Sequence, residues 1–308
     1  MIEMQLMHGS RQMTLIAAGL TMLALSMSGC REGLGGGASI VPVVRILPDA
    51  EAEGAAIGGG AADVQVAGYG TLRGRIVLDG AAPSLPPTIQ QSQIKPGDAA
   101  VCVFEKIPKQ ENLLVAADGA LANVFVYLPK APPGTRPPEG ELEPIKFDQE
   151  VCTFKPHCLV SQAGQTILVL NADNLAHNTH TYPNRNAGFN STVSPGERTG
   201  VPLIYARSES KPVRVTCDFH PWMGAFHLPL DHPYGAVSGQ DGTFEITDLP
   251  AGKHEFAIWH EVAGDINKRY AVDIPVDGVA EVKINVSAQS LAQFQGERPK
   301  RVVLSMIP

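Results

Sequence analysis

The sequence predicts an all-β protein built from two β-sandwiches behind a flexible leader. Three observations carry that expectation. Short alternating runs recur along the chain: Thr71-Leu-Arg-Gly-Arg-Ile-Val-Leu78, Asn123-Val-Phe-Val-Tyr-Leu128, Gln165-Thr-Ile-Leu-Val-Leu170, Pro212-Val-Arg-Val-Thr-Cys217, Thr243-Phe-Glu-Ile246 and Val282-Lys-Ile-Asn-Val286. A period of two puts every second side chain on one face, as a half-buried strand requires. The runs are separated by turn residues, with 31 Gly and 25 Pro in 308 residues, which suits short strands in sandwiches. Amphipathic helical stripes are few. Apolar residues at 44% and charged residues at 18% are ordinary for a globular chain, and the length suits one to three domains. A net charge of −7 argues against nucleic acid as a partner.

The first element is an address. Residues 13–27 form an apolar run preceded by Arg11, too short for a membrane span. Ser28-Gly29-Cys30 follows. This resembles a bacterial lipoprotein signal, with Met27 where Leu is usual. The resemblance implies that Cys30 is the lipidated first residue of the mature chain. An ordinary signal peptide with an incidental Cys is the alternative. Residues 1–30 are thus read as signal and 31–66, rich in Gly and Ala, as a tether. Arg31 is not the Asp that often retains lipoproteins in an inner membrane. The expected place is therefore the cell envelope, facing the periplasm, with a preference for the outer membrane.

Chemistry concentrates in Val213-Arg-Val-Thr-Cys217-Asp-Phe-His220-Pro-Trp-Met223, a C-x-x-H-x-x-M loop after a strand-like run. Forty residues before Cys217, Asn171-Ala-Asp-Asn-Leu-Ala-His177-Asn178 supplies a second imidazole. Two His, one Cys and a weak axial Met are the ligand set of a mononuclear blue-copper site. Thiolate and thioether suit Cu(I) and imidazole suits both oxidation states, so one electron passes with little rearrangement. The loop resembles the ligand loop of the cupredoxins, with the spacing and the His220-Pro221 dipeptide of amicyanin. Phe154 to Asn171 resembles the opening strands of that family, and the whole resemblance covers roughly residues 144–231. It implies His177, Cys217 and His220 as ligands, Met223 as the axial one and Asn178 tying the two ligand loops together. It also implies that the His220 turn, flanked by Pro221 and Trp222, is a solvent-reaching electron port. His180, three residues after His177, would not share a face with it in an extended segment and is expected beside the ligands or at the surface. His227 and His232 lack ligand spacing, and a single loop Cys argues against a binuclear centre.

Export leaves Cys102, Cys152 and Cys158 to account for. Cys102–Cys152 is the favoured disulfide, stapling the first segment to the cupredoxin's first strand. Cys152–Cys158 is the alternative, and the sequence does not decide between them.

The last element is Ala236-Val-Ser-Gly-Gln-Asp241-Gly242-Thr-Phe-Glu-Ile-Thr-Asp-Leu-Pro250-Ala-Gly252-Lys-His-Glu-Phe-Ala-Ile-Trp259-His260. It resembles the carboxypeptidase regulatory-like (transthyretin-like) sandwich through D-G-x-F-x-I-x-x-L-P-A-G, with Asp241-Gly242 as a hairpin turn. That family begins with strands like 71–78 and 123–128, which lie before the copper segment. The expected organisation is therefore residues 67–143 as the first part of the sandwich, 144–231 as a Greek-key cupredoxin and 232–308 as the rest of the sandwich and a tail. The alternative is three consecutive domains. Trp259-His260-Glu261 has no accompanying nucleophile and is read as packing, so no enzymatic activity is expected. The expected function is a lipid-anchored carrier of single electrons holding one type 1 copper. By analogy its partner is a c-type cytochrome or a dehydrogenase. A non-redox envelope module and a copper storage or delivery protein are the alternatives.

Overall fold

The computed structural model of the chain describes residues 66–85, 94–103, 111–138 and 140–293. Every described residue belongs to one compact unit of the chain. The expected signal segment and Cys30 lie outside the described residues.

Among the described residues the fold is nearly all β. In chain order the elements are β1 (Tyr69–Asp79), α1 (Ala99–Cys102), β2 (Phe125–Tyr127), β3 (Ile145–Glu150), β4 (Thr153–Lys155), β5 (Cys158–Gln162), β6 (Thr166–Val169), β7 (His177–Tyr182) and β8 (Asn190–Val193). They continue with β9 (Val201–Ile204), β10 (Val213–Thr216), β11 (Gly224–Leu230), β12 (Gly235–Val237), β13 (Thr243–Pro250), β14 (Gly252–His260), β15 (Gly264–Ile274), β16 (Val279–Ser287) and α2 (Ala288–Gln293).

Two pairs of sheets result. One pair has strand orders β13-β1-β16 and β12-β2-β14-β15. Its core joins Leu72, Ile76 and Leu78 of β1 and Phe244 and Ile246 of β13 to Val126 of β2, Phe256 and Ile258 of β14 and Ile274 of β15. Alternation explains this: Leu72, Ile76 and Leu78 share one face of β1, and Phe244 and Ile246 share one face of β13. β1 is the middle strand of its sheet, antiparallel to β13 and parallel to β16. β2 lies between β12 and β14. The early strands thus pair with strands from the far end of the chain. At Gly74 a side chain would meet the Phe244 ring at 2.4 Å, so the close approach of β1 to Phe244 requires glycine there.

Residues between β2 and β12 build the other pair, β4-β3-β6-β9 and β5-β11-β10-β7-β8. Phe147, Phe154, Ile167, Val169 and Leu203 from the first meet Leu159, Val193, Val213, Val215 and Ala225 from the second in one core. A third apolar cluster joins the two pairs of sheets. Phe125 and Tyr127, on the face of β2 opposite Val126, pack with Cys158, Leu228 and Leu230. Trp259 lies 5.8 Å from Phe125 and 5.0 Å from Phe226, ring centre to ring centre.

The Asp241-Gly242 turn forms, with Gly242 at φ +76 and the Asp241 carboxylate accepting from the Thr243 N–H at 3.0 Å. It is not the turn of a hairpin between paired strands, however. β12 joins one sheet and β13 the other, because the chain crosses the core there to bury Phe244 and Ile246 beneath β1.

Candidate metal centre

Backbone pairing brings the ligand candidates to one end of the five-stranded sheet. β10 and β11 pair antiparallel up to Thr216↔Gly224, so the loop 217–223 between them is a tight cap. It is held by the Met223 N–H on the His220 carbonyl at 2.9 Å and the Cys217 N–H on the Met223 carbonyl at 3.4 Å. β7 lies on the other side of β10, with Thr216↔His180, and His177 stands at its start. The segment before His177 is folded by Asn171, whose Nδ2 donates to the carbonyls of Leu175, Val193 and Ser194 at 2.8, 3.2 and 3.0 Å.

Three donor atoms converge. His177 Nδ1 and His220 Nδ1 are 2.9 Å apart, and Cys217 Sγ lies 3.9 and 3.7 Å from them. All three residues are buried, His177 completely. Bonds of about 2.0–2.1 Å to imidazole and about 2.3 Å to thiolate hold N and S donors roughly 3–4 Å apart around one ion, so this triangle fits a single metal. Met223 is also buried, in the same apolar cluster as Cys217.

The far side of each imidazole faces a carboxylate. His177 Nε2 is 2.8 Å from Asp173 Oδ2. Donation of that N–H leaves Nδ1 with the free lone pair a metal needs, the arrangement by which carboxylates orient ligand histidines. Asp173 also accepts the N–H groups of Val151 and Cys152, at 2.6 and 2.8 Å. These residues sit in the left-handed region, at φ 51 and 52. Burial works against the Asp173 charge, but these bonds overcome it and hold the carboxyl below its usual range. His177 is raised: burial opposes its charge, and Asp173 and Cys217 outweigh that. Burial likewise pushes the Cys217 thiol up, yet His177, His220 and the N–H groups of the loops bring it down to about 6. A thiol that loses its proton near neutrality is ready for a soft metal.

Asn178 bridges the two ligand loops: its Oδ1 accepts the Asp218 N–H at 2.6 Å and its Nδ2 donates to Asp218 Oδ2 at 2.8 Å. His180 lies outside the triangle, 3.1 Å from Asp218 Oδ2. His227 and His232 are buried elsewhere, His227 against the Tyr205 hydroxyl at 3.1 Å and pushed down to about 3 by burial.

The expected solvent-reaching imidazole is corrected by the structure. His220 is only 3% exposed. Its Nε2 faces Asp98 Oδ2 at 3.3 Å, and Trp222 stands edge-on to its ring at 5.0 Å. Trp222 is half-buried and donates Nε1–H to the Cys152 carbonyl at 3.2 Å. Asp218, Phe219 and Pro221 form the exposed side of the loop. Cys102 and Cys152 form a disulfide, while Cys158 and Cys217 are free thiols. Sequence reasoning missed Asp173 and Asp98. Asp173 has a signal, a carboxylate four residues before the ligand candidate. Asp98 has none, lying 122 residues from His220.

No protein-family profile matches the chain, and no curated protein matches it. Solved structures similar to it include a mutant of amicyanin in its reduced Cu(I) form, 17% identical over 30% of this chain and 86% of that one, at a TM-score of 0.25. A copper-containing nitrite reductase from Thermus scotoductus SA-01 is 17% identical over 34% of this chain and 25% of that one, at a TM-score of 0.26. A purple cupredoxin from Nitrosopumilus maritimus is 18% identical over 28% of this chain and 98% of that one, at a TM-score of 0.23.

Proposed function

We propose that this protein binds one copper ion and exchanges single electrons through it. The observation that supports the reading best is the buried triangle of two imidazole nitrogens and one sulfur, all within 2.9–3.9 Å. His177, Cys217 and His220 would hold the metal and Met223 would weakly complete the set. The metal would supply the one-electron couple. The protein fixes both imidazoles through their outer nitrogens, keeps the thiolate deprotonated and excludes water. Such preorganisation suits a centre that changes oxidation state without rearranging. Phe219 and Pro221, exposed beside Cys217 and His220, would make the brief contact with a redox partner such as a c-type cytochrome or a dehydrogenase. The strands 67–143 and 232–308 would form one sandwich that carries the copper domain 144–231 as an insertion. Lipidation at Cys30 would hold the molecule at a bacterial membrane, facing the periplasm and preferably on the outer membrane. We assign no enzymatic activity.

The buried His220 edge favours one second reading, a protein that stores or delivers copper. Titration with Cu(II) and Cu(I), followed by visible absorption, separates the two. One equivalent with an intense thiolate-to-copper band supports the electron carrier. Tight Cu(I) binding without that band supports storage, and the absence of any binding overturns the metal reading.

A further inference from the structure

We propose that residues 94–103 are a strap that closes the solvent edge of His220, that the Cys102–Cys152 disulfide holds the strap in place, and that Asp98 is a positioning residue for the His220 imidazole. The proposal rests on the metal-centre reading for its purpose, but the strap itself is visible in the chain's own packing. Asp98 begins helix α1 and makes no side-chain bond to that helix. An aspartate in that place ordinarily accepts an N–H of the first turn. Here the carboxylate turns away, and its Oδ2 meets His220 Nε2 at 3.3 Å. Ile94 and Cys102 are buried in the same core as Cys217 and Met223, and Ala99, Val101 and Val103 pack against it. The disulfide fastens the end of α1 to the β3–β4 turn. Both of its sulfurs lie within 4.8 Å of a His220 ring nitrogen. The Cys152 carbonyl in turn receives the N–H of Trp222, whose ring stands edge-on to His220. The strap, the disulfide and Trp222 therefore enclose one imidazole.

The consequence is a ligand that does not meet solvent by its own edge. Asp98 does for His220 what Asp173 does for His177: it orients the ring through the outer nitrogen and leaves Nδ1 toward the thiolate. The two partners differ in origin. Asp173 belongs to the loop before its histidine, whereas Asp98 arrives from a segment 122 residues away and depends on the disulfide to stay.

Acylation of the metal-free full chain by diethyl pyrocarbonate, read peptide by peptide in a mass spectrometer, tests the strap without copper. His180, whose side chain is 30% exposed, is the internal reference. In the native protein His220 should react at least about tenfold more slowly than His180, which corresponds to about 1.4 kcal/mol of local closure. Cys102→Ser combined with Cys152→Ser, and separately Asp98→Ala, should each speed His220 by at least that factor while His177 stays protected. Asp98→Ala keeps the disulfide, so it decides the matter if the double variant does not fold. A native His220 that reacts as fast as His180, or one unchanged in folded Asp98→Ala, overturns the proposal. In copper-loaded protein, Asp98→Ala should raise the reduction potential, because a carboxylate on the ligand favours the more highly charged ion. Asp98→Asn should restore part of the shift. Identical potentials in all three would show that Asp98 only packs. A native chain that binds no copper would sink the metal reading and leave the acylation pattern to judge the strap.

Discussion

Replacing Asp173 tests how the fold supports the centre. Its carboxylate accepts three donors, the Val151 and Cys152 N–H groups and His177 Nε2. The turn it holds is costly, since a non-glycine residue in the left-handed region is disfavoured by about 1–2 kcal/mol, and two adjacent ones stand there. Hydrogen bonds to a charged acceptor are worth about 1.5–3 kcal/mol each, so two of them offset the strain. In Asp173→Ala water can reach the part-buried Val151 N–H, whereas the buried Cys152 N–H is orphaned. The contributions overlap, and we expect a loss of about 3 kcal/mol in urea unfolding of the metal-free, disulfide-intact protein. Asp173→Asn keeps one acceptor and should lose roughly half as much. Asp173→Ala also frees the His177 ring, so copper affinity, read by competition with a chelator, should fall about 10–100-fold. A stability loss under about 1 kcal/mol together with affinity within about threefold of native would refute the reasoning. A loss of stability alone would mean that Asp173 serves the turn and not the ligand.

Other outcomes follow from single features. Cys217→Ser should abolish the visible band of the copper-loaded protein, and Met223→Leu should keep the band and copper but raise the potential; complete loss of copper in Met223→Leu would show that Met223 does more than tune. His157 sits between Glu261, to which it is hydrogen-bonded, and Glu111, 3.7 Å away. Burial works against its charge, but Glu261 and Glu111 outweigh it, so its folded pKa is raised. The stabilisation is therefore fully present below its unfolded value of about 6.5 and is lost as pH rises through the folded value. The urea midpoint should fall as pH rises above about 6.5, and His157→Gln should flatten that slope; an unchanged slope would exclude His157 as its source. A chain cut to residues 232–308 lacks β1 and β2, the strands between β13 and β16 and between β12 and β14. It should show no cooperative thermal transition, and calorimetry that finds one would refute the need for the early strands.

What the sequence determined by itself was local. Strand periodicity marks β1, β6, β10, β13 and β16, because alternation is the direct consequence of one buried face, whereas β2 is apolar on both faces and both are buried. The spacing of Cys217, His220 and Met223 is legible because one short loop must present all three. His177 is legible with its neighbour Asn178 because a strand start places them. The partner of Cys152 stayed open between Cys102 and Cys158, since connectivity depends on which segments the fold brings together. Tertiary structure also decided the sheet membership of Asp241-Gly242, which reads as a hairpin locally but joins two sheets. Most of all, it decided the surroundings of His220. Loop spacing places that imidazole at the end of a sheet, where solvent would be expected. A segment more than a hundred residues earlier covers it, and no local pattern encodes that contact. Its physical cause is the burial of Ile94 and Cys102 in a core whose other members lie beyond residue 144.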